Sequence, residues 1–505
     1  MNKALKDPVF ILLLAIGAFL IFANLGNMYL WQDEAETAVL SRNTLEFGYP
    51  KAFDGTNIVD HQLEYRGDYA WVYHPWLKFY VVAGSFAAFG TTAFAARLPF
   101  AILGFFSILL MYILARRLAE DKTTARIATM LLVFSVPFLL MVRQCRWYAF
   151  SIFFTMVLLL AYQNFAEKRK WGALKFALAC ILFFHSAHGV FIGVFIGLAA
   201  HYALFYRKTR NLKNVLLVFS AIAVFTVPWL LYCIAWQHFT FLYNKGWQRQ
   251  PFNIDHLRQN FEYYVRVTNK YVIPAVFLGV VVIIRLIKNK INPFSQNVIK
   301  KSSLWLVCLA IISSMILLVF VDQRHFRYIA HLISLYLILE AIILAGWMKS
   351  SKLLTWLVIA VIVFTGFLNN PKLKFSLFNY FYEITHDYNC PNEGVVKYLN
   401  EHATSRQTVK IPYEDIVLIF YTDLKVENPQ DFRKESYPDW IVIRKDWIGP
   451  AFYKSDYYKN IQSRYEKIVI DYPDIQWGNM PDMGYHKYRT EKTDSKVIIY
   501  KKKSW

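Results

Sequence analysis

The chain has 505 residues, 56% of them hydrophobic and 18% aromatic, with a formal net charge of +21. Several apolar runs approach the ~20 residues a helix needs to cross a hydrocarbon layer ~30 Å thick, which excludes a single water-soluble core. The positive charges fall in short loops between those runs, so they report membrane topology and not a nucleic-acid partner.

The first run, 8–25, follows Lys3 and Lys6 and reads as a retained signal anchor with the N-terminus inside. Asp33-Glu34-Ala35-Glu36 comes next, three carboxylates in four residues at the bilayer surface. Asp33, with Glu36 three residues on, fits an aspartate version of a capping box for a helix over 34–47. Acids in a first turn also suit the helix dipole. A carboxylate held rigidly at the water interface is equally what a general base requires.

The run 75–90 is sixteen residues long. It reaches only ~24 Å as a helix. If it crossed, Arg116, Arg117, Lys122 and Arg126 would lie outside and every later basic loop would invert with them, so it is expected to lie flat in the outer interface. Crossings are then expected at 94–115, 125–142, 147–166, 171–186, 189–206, 214–234, 271–287, 302–321, 328–347 and 353–369. They place Lys168-Arg169-Lys170, Arg207-Lys208 and Lys349 inside, giving about eleven transmembrane helices with the C-terminus outside.

The outside loop 236–271 carries Ile254, Leu257, Phe261, Tyr264 and Val265 at helical spacing, an amphipathic interfacial helix. From about 371 the chain turns polar. Glu393–Glu401 is helix-like, and Thr408–Ile411, Trp440–Ile443, Ile468–Ile470 and Val497–Tyr500 read as short strands. The expected organisation is a polytopic α-helical membrane module over 1–370, followed by an extracytoplasmic soluble α/β domain over 371–505.

Chemistry-bearing residues gather on the outer side. His74-Pro75 opens the flat helix, with Lys78 four residues on and on the same face; Trp71, Trp76 and Tyr80 suit headgroup anchors. Arg97 ends the second crossing. Arg143 and Arg146, with Trp147-Tyr148, occupy one outer turn; Arg324, His325, Arg327 and Tyr328 occupy another. These cations break the positive-inside pattern, and guanidinium forks suit a phosphate held at the interface. His185 and His188 flank a further turn and are expected to bond backbone; Glu340, deep in the tenth crossing, is expected to be paired or snorkelling. The turn-rich stretch 471–483 reads as a structural loop, with acceptor recognition as the alternative. Cys145, Cys180, Cys233, Cys308 and Cys390 are scattered, without metal-type spacing or a disulfide framework. The sequence requires no cofactor and leaves a divalent metal open.

In order along the chain, Asp33-Glu34, His74-Pro75-Trp76-Leu77, Phe89-Gly90 and Ala95-Ala96-Arg97-Leu98-Pro99 resemble the GT-C superfamily of membrane glycosyltransferases. The group most alike is that of the protein O-mannosyltransferases and lipid A aminoarabinose transferases. Arg143-Gln144-Cys145-Arg146-Trp147-Tyr148 and Arg324-His325-Phe326-Arg327-Tyr328 fall where that group has its arginine-bearing outer turns. The resemblance covers about residues 1–350. It implies a polyprenyl-phosphate-linked sugar as donor and carries the family's acidic residue over to Asp33, with Glu34 beside it. Two departures stand out: some relatives have Lys-Pro where this chain has His74-Pro75, and some have a second aspartate where it has Trp147-Tyr148.

The reading that results is an inverting glycosyltransferase of the plasma (inner) membrane. It moves a sugar to a lipid, glycan or protein hydroxyl on the outer face. Asp33 and Glu34 are its catalytic acids, Arg143, Arg146, Arg324, Arg327 and Tyr328 its phosphate-binding residues, and His74, Lys78 and Tyr148 position substrate. The alternatives are a lipid-diphosphate oligosaccharide transferase or ligase, and a lipid-linked sugar flippase. A transporter tends to carry internal repeats and mid-membrane charges, whereas this chain gathers its charges at one surface.

Overall fold

The computed structural model describes residues 5–59, 65–207, 211–234, 253–289, 300–321, 323–366, 368–369, 376–387, 389–427, 432, 434–475, 479–490 and 492–503. α1 (Pro8–Phe22) is apolar all round; Asp7 accepts from the Val9 N–H at 3.2 Å and Pro8 supplies the first turn. α2 (Gln32–Phe47) stops at Gly48, whose φ of 79° lets the chain turn left-handed. α3 (Leu77–Phe89) and α4 (Ala93–Ala119) follow, the latter capped by Thr92. α5 (Lys122–Val133) and α6 (Val136–Val142) are bent by 63°, where Pro137 prevents one helix from running through. α7 (Tyr148–Ala166) packs along α8 (Gly172–Phe205).

α8 is not a straight rod. Ala187 leaves helical geometry at φ −159° and ψ 73°. The Phe176 and Phe195 ring centroids are 6.4 Å apart, and Phe165 packs against both Phe176 and Tyr202. A straight helix would separate residues 176 and 195 by about 28 Å. The element is therefore a hairpin whose two legs match the separate runs 171–186 and 189–206. Its second leg lies close against the Lys301–Val319 helix, where a Cβ on Gly197 would come within 2.6 Å of the Leu309 carbonyl oxygen.

Among the described residues, six helices are long and apolar enough to cross a membrane, or eight if each bent pair counts as one span. Pro8–Phe22, Leu77–Phe89 and Lys352–Thr365 are shorter apolar helices. The protein is a polytopic helical membrane protein. The amphipathic stretch forms the helix Ile254–Tyr271, with Asn260 and Tyr264 buried and Ile254, Phe261 and Val265 exposed. It then bends by 82° at Pro274 into Ala275–Asn289. The rest of the expected loop, 236–252, and the expected boundary at 370/371 lie outside the described residues.

Two inner expectations are answered differently. His185 bonds backbone as anticipated, its Nε2–H donating to the Phe225 carbonyl at 2.8 Å, but His188 Nδ1 has no hydrogen-bond partner among the described residues. Glu340 is fully buried, and neither carboxylate oxygen has a hydrogen-bond partner among the described residues.

The C-terminal region forms a five-stranded mixed sheet, β1 (Thr408–Lys410), β2 (Lys425–Val426), β3 (Trp440–Ile443), β4 (Tyr465–Pro473) and β5 (Lys496–Lys502), in the order β2-β1-β3-β5-β4. β1 runs parallel to both β2 and β3, while β5 is antiparallel to β3 and β4. The crossover helix between β1 and β2, Asp415–Tyr421, packs on α2. That contact sets the sheet against the acidic turn.

Candidate active site

α2 begins one residue before Asp33, and its N-cap is Trp31, which makes no side-chain cap bond. Asp33 is thus the second helical residue, and the expected capping box does not form. Its carboxylate is left for other partners. Successive residues on a helix point about 100° apart, so Asp33, Glu34 and Glu36 take three separate directions.

Glu34 turns inward. It is fully buried and receives a bidentate fork from Arg97, Nε to Oε1 at 2.8 Å and Nη2 to Oε2 at 2.7 Å. The Cys145 N–H adds 2.9 Å and the Asn479 amide 3.4 Å. Arg97 also ties the Met28 carbonyl at 2.7 Å, so the pair fastens the α1–α2 connection. Both Glu34 carboxylate oxygens are thus engaged by Arg97, the Cys145 N–H and Asn479.

Glu36 anchors Arg146, whose Nη1 donates to Oε1 at 2.7 Å and to the Asp33 carbonyl at 2.9 Å. The other arm of Arg146 reaches toward Asp33 Oδ2 at 3.6 Å, and Arg327 Nη1 approaches the same oxygen at 3.5 Å. Both separations exceed hydrogen-bond length. The Asp33 side chain keeps 21% of its surface exposed, against 7% for Arg146 and 15% for Arg327.

Around this centre lie polar atoms with no hydrogen-bond partner among the described residues: Lys78 Nζ, Arg146 Nε, Tyr148 OH and His74 Nε2. His74 Nε2 stands 3.9 Å from Glu36. Burial, and then the neighbouring Lys78 and Arg146, hold the His74 imidazole well below its usual pKa, so it is neutral. Burial followed by Arg146 pulls Lys78 down to about 7, although Glu36 opposes the shift. An anion entering here would restore its charge. His325 is lowered to about 4, by burial and then by Arg327. The Tyr328 ring stacks on Trp147 at 6.4 Å and flanks the Arg327 side.

The structure therefore brings together Asp33, His74, Lys78, Arg146, Tyr148, Arg327 and Tyr328. It separates two expected members. Arg143 donates to the Ile21 and Ala23 carbonyls at 2.6 and 2.8 Å and caps the end of α1, where a helix leaves its last carbonyls without intrahelical partners. Arg324 is exposed and meets Gln259 at 3.5 Å on the amphipathic helix. Sequence reasoning missed Glu36 as the anchor of Arg146, and it missed Asp415 and Asn479, which bond Gln32 and Glu34 from the far end of the chain. The stretch 471–483 held a clue, for its turn residues include Asn479. Among the described residues, no group of three or more His, Cys, Asp or Glu side chains is arranged to hold a metal ion.

Residues 73–232 match the dolichyl-phosphate-mannose-protein mannosyltransferase family. The whole chain aligns with ArnT from Cupriavidus metallidurans bound to undecaprenyl phosphate: 97% of each chain is covered, with a TM-score of 0.60 and 14% identity. The apo form of that protein gives a TM-score of 0.58 at the same identity and coverage. The chain therefore shares the fold of ArnT along nearly its full length. No curated protein matches it by sequence. The family match takes in His74, Lys78, Arg97 and the turn 143–148, while Asp33 and Arg327 lie outside it.

Proposed function

We propose that this protein is a membrane glycosyltransferase of the GT-C superfamily, an inverting enzyme that moves a sugar from a polyprenyl-phosphate donor to an acceptor hydroxyl. One observation carries the reading: a partly exposed carboxylate, Asp33, faces the guanidinium groups of Arg146 and Arg327 at 3.6 and 3.5 Å, beside Lys78 Nζ and Tyr148 OH, which have no hydrogen-bond partner among the described residues. That ArnT was solved with undecaprenyl phosphate supports a lipid phosphate as the anion for such a site.

The acceptor oxygen attacks the anomeric carbon as Asp33 takes its proton; the bond from that carbon to the phosphate oxygen breaks, and the electron pair leaves with the phosphate. Charge grows on the phosphate in the transition state, where Arg146, Arg327 and Lys78 stabilise it. A phosphate competing for the two guanidinium groups loosens their hold on Asp33 and raises its basicity as the donor binds. His74, Tyr148 and Tyr328 shape the walls, and Glu34, paired with Arg97, holds the α1–α2 connection. Arg143 and Arg324 serve the fold and the surface helix.

Eleven crossings are part of the same reading. The two legs of α8, Pro8–Phe22 and Lys352–Thr365 join the other long helices and the two bent pairs. The N-terminus is cytoplasmic, α3 lies in the outer interface, and both Asp33 and the sheet face outward at the plasma (inner) membrane. Labelling of Lys168→Cys from outside intact cells would overturn that orientation. Function is tested by reconstituting the protein with labelled polyprenyl-phosphate sugar. Transfer to an acceptor supports the reading; movement across the bilayer without bond cleavage makes it a transporter.

A further inference from the structure

The sheet has a topological switch point. From β1 the chain passes to β2 on one side and then returns to β3 on the other, and all three strands are parallel. In open sheets of this kind a crevice opens at the carboxyl ends of the strands that part company, and ligands bind there. At the carboxyl ends of β1 and β3 stand Tyr413, Glu414, Arg444 and Trp447.

These residues form a built wall. The Tyr413 and Trp447 rings stack 3.8 Å apart at 24°. Both are half-buried. Glu414 adopts a left-handed φ of 69°, which a glutamate takes up only under constraint. The constraint is Arg444, fully buried, which pairs with Glu414 and binds Asp474 at 2.7 Å. The crevice is also aimed. Gln32 Nε2 donates to Asp415 Oδ1 at 2.7 Å, the Leu30 N–H donates to Tyr421 OH at 3.0 Å, and Arg42 reaches the Ile419 carbonyl at 3.2 Å. Asp33 is the residue after Gln32. Burial, and then Asp33, hold the Tyr413 phenol well above its usual pKa, so it remains a hydrogen-bond donor.

We propose that Tyr413 and Trp447 form an aromatic wall that binds a sugar ring beside Asp33, so that the sheet contributes a subsite to the reaction. This rests on the reading of Asp33 as the base. The stacked rings offer an apolar face to the C–H side of a sugar. The ring belongs either to the transferred sugar or to a glycan acceptor.

The test uses the full-length protein in lipid nanodiscs, a panel of methyl hexosides and methyl pentosides as probes, and ligand-observed NMR to follow binding. At least one glycoside should bind wild type, and Tyr413→Ala or Trp447→Ala should weaken it by about tenfold. Binding of undecaprenyl phosphate should change less than twofold. Tyr413→Phe should keep the stacking part of the effect, which a merely structural role would not separate from the alanine result. Inhibition of transfer by the glycoside that competes with the donor assigns the wall to the transferred sugar; inhibition that does not compete assigns it to the acceptor. The proposal is overturned if no glycoside binds wild type, or if both alanine variants bind as wild type does. It is overturned too if sugar and lipid phosphate binding fall together with the melting temperature, in the phenylalanine variant as well. Asp33→Asn is the separate arm. Lost turnover with retained glycoside binding keeps both readings, whereas full turnover removes the base and leaves the binding data to judge the wall.

Discussion

Two aspartates flank the first helix, and each meets arginine. At one end, Asp7 is fully buried; Arg126 grips it from two nitrogens at 2.7–3.2 Å, Tyr112 OH donates at 2.7 Å, and the Val9 N–H takes the remaining direction. At the other, Asp33 is partly exposed and its arginines stop at 3.5 and 3.6 Å. Asp7 has every acceptor site filled. Asp33 stands in a ring of buried donors that find no partner among the described residues. Buried polar groups are costly to leave unmatched, so a saturated cluster reads as structure and an unsaturated one as a place kept for a ligand.

The sharpest way to break this contrast is to exchange the two carboxylates for amides. Asp33→Asn keeps shape and removes basicity, so sugar transfer should fall on the order of 10²–10⁴-fold with an unchanged melting temperature. Near-wild-type turnover would place Asp33 with Asp7 among the structural acids. Glu34→Gln should act the other way round. It leaves the buried Arg97 without its carboxylate, at a cost of about 3–5 kcal/mol in stability, while turnover per folded molecule holds. A selective loss of turnover at constant melting temperature would return Glu34 to the chemistry.

Arg327→Ala should weaken donor use by about 1.5–3 kcal/mol, the worth of a charge-assisted contact. Arg327→Lys should rescue only part, since the planar fork is lost. The check is the ratio of kcat to KM for the donor, and an unchanged ratio would empty the proposed phosphate site of that residue. Asp7→Asn should cost about 1–3 kcal/mol in stability and nothing in turnover per folded molecule. Arg126 holds the Asp7 carboxyl well below the usual range, against the opposing effect of burial. The folded pKa lies below the unfolded one, so this contribution is complete above about pH 4 and is lost as pH falls further. Thermal melts of wild type and Asp7→Asn should therefore run parallel from pH 8 to about pH 5 and converge in stronger acid. The smallest effect belongs to Arg324→Ala, expected within about twofold of wild type in turnover because a solvent-exposed polar contact is worth little.

Local pattern made much of this legible. Apolar run lengths located the long helices, the gap at residues 187–188 foresaw the hairpin, and β-branched runs found four strands within a few residues. What failed was partner identity. Glu34 and Arg97 are 63 positions apart, Glu36 and Arg146 are 110, and Gln32 and Asp415 are 383. Helical periodicity reports neighbours three and four residues away and is silent on such distances. The misread cap has a smaller cause. An acid three residues before another fits a capping box, yet a helix that starts two residues early turns the same acid into a first-turn side chain with different work. Arg143 and Arg324 carried the same charge and setting as Arg146 and Arg327; only the packing of α1 and of the Ile254–Tyr271 helix told them apart.

The long tie between the acidic turn and the sheet has a consequence for how the protein is made. Gln32 waits for Asp415, and Glu34 waits for Asn479, which is 445 residues downstream. At roughly 5–20 residues per second of synthesis, the turn leaves the ribosome on the order of 20–90 s before its last partner does. Throughout that interval a nascent chain has its first helices in place and no finished site. On the proposed function, a stalled or prematurely ended polypeptide would occupy the membrane without consuming lipid-linked sugar, and activity would begin only when the final fifth of the chain has been delivered.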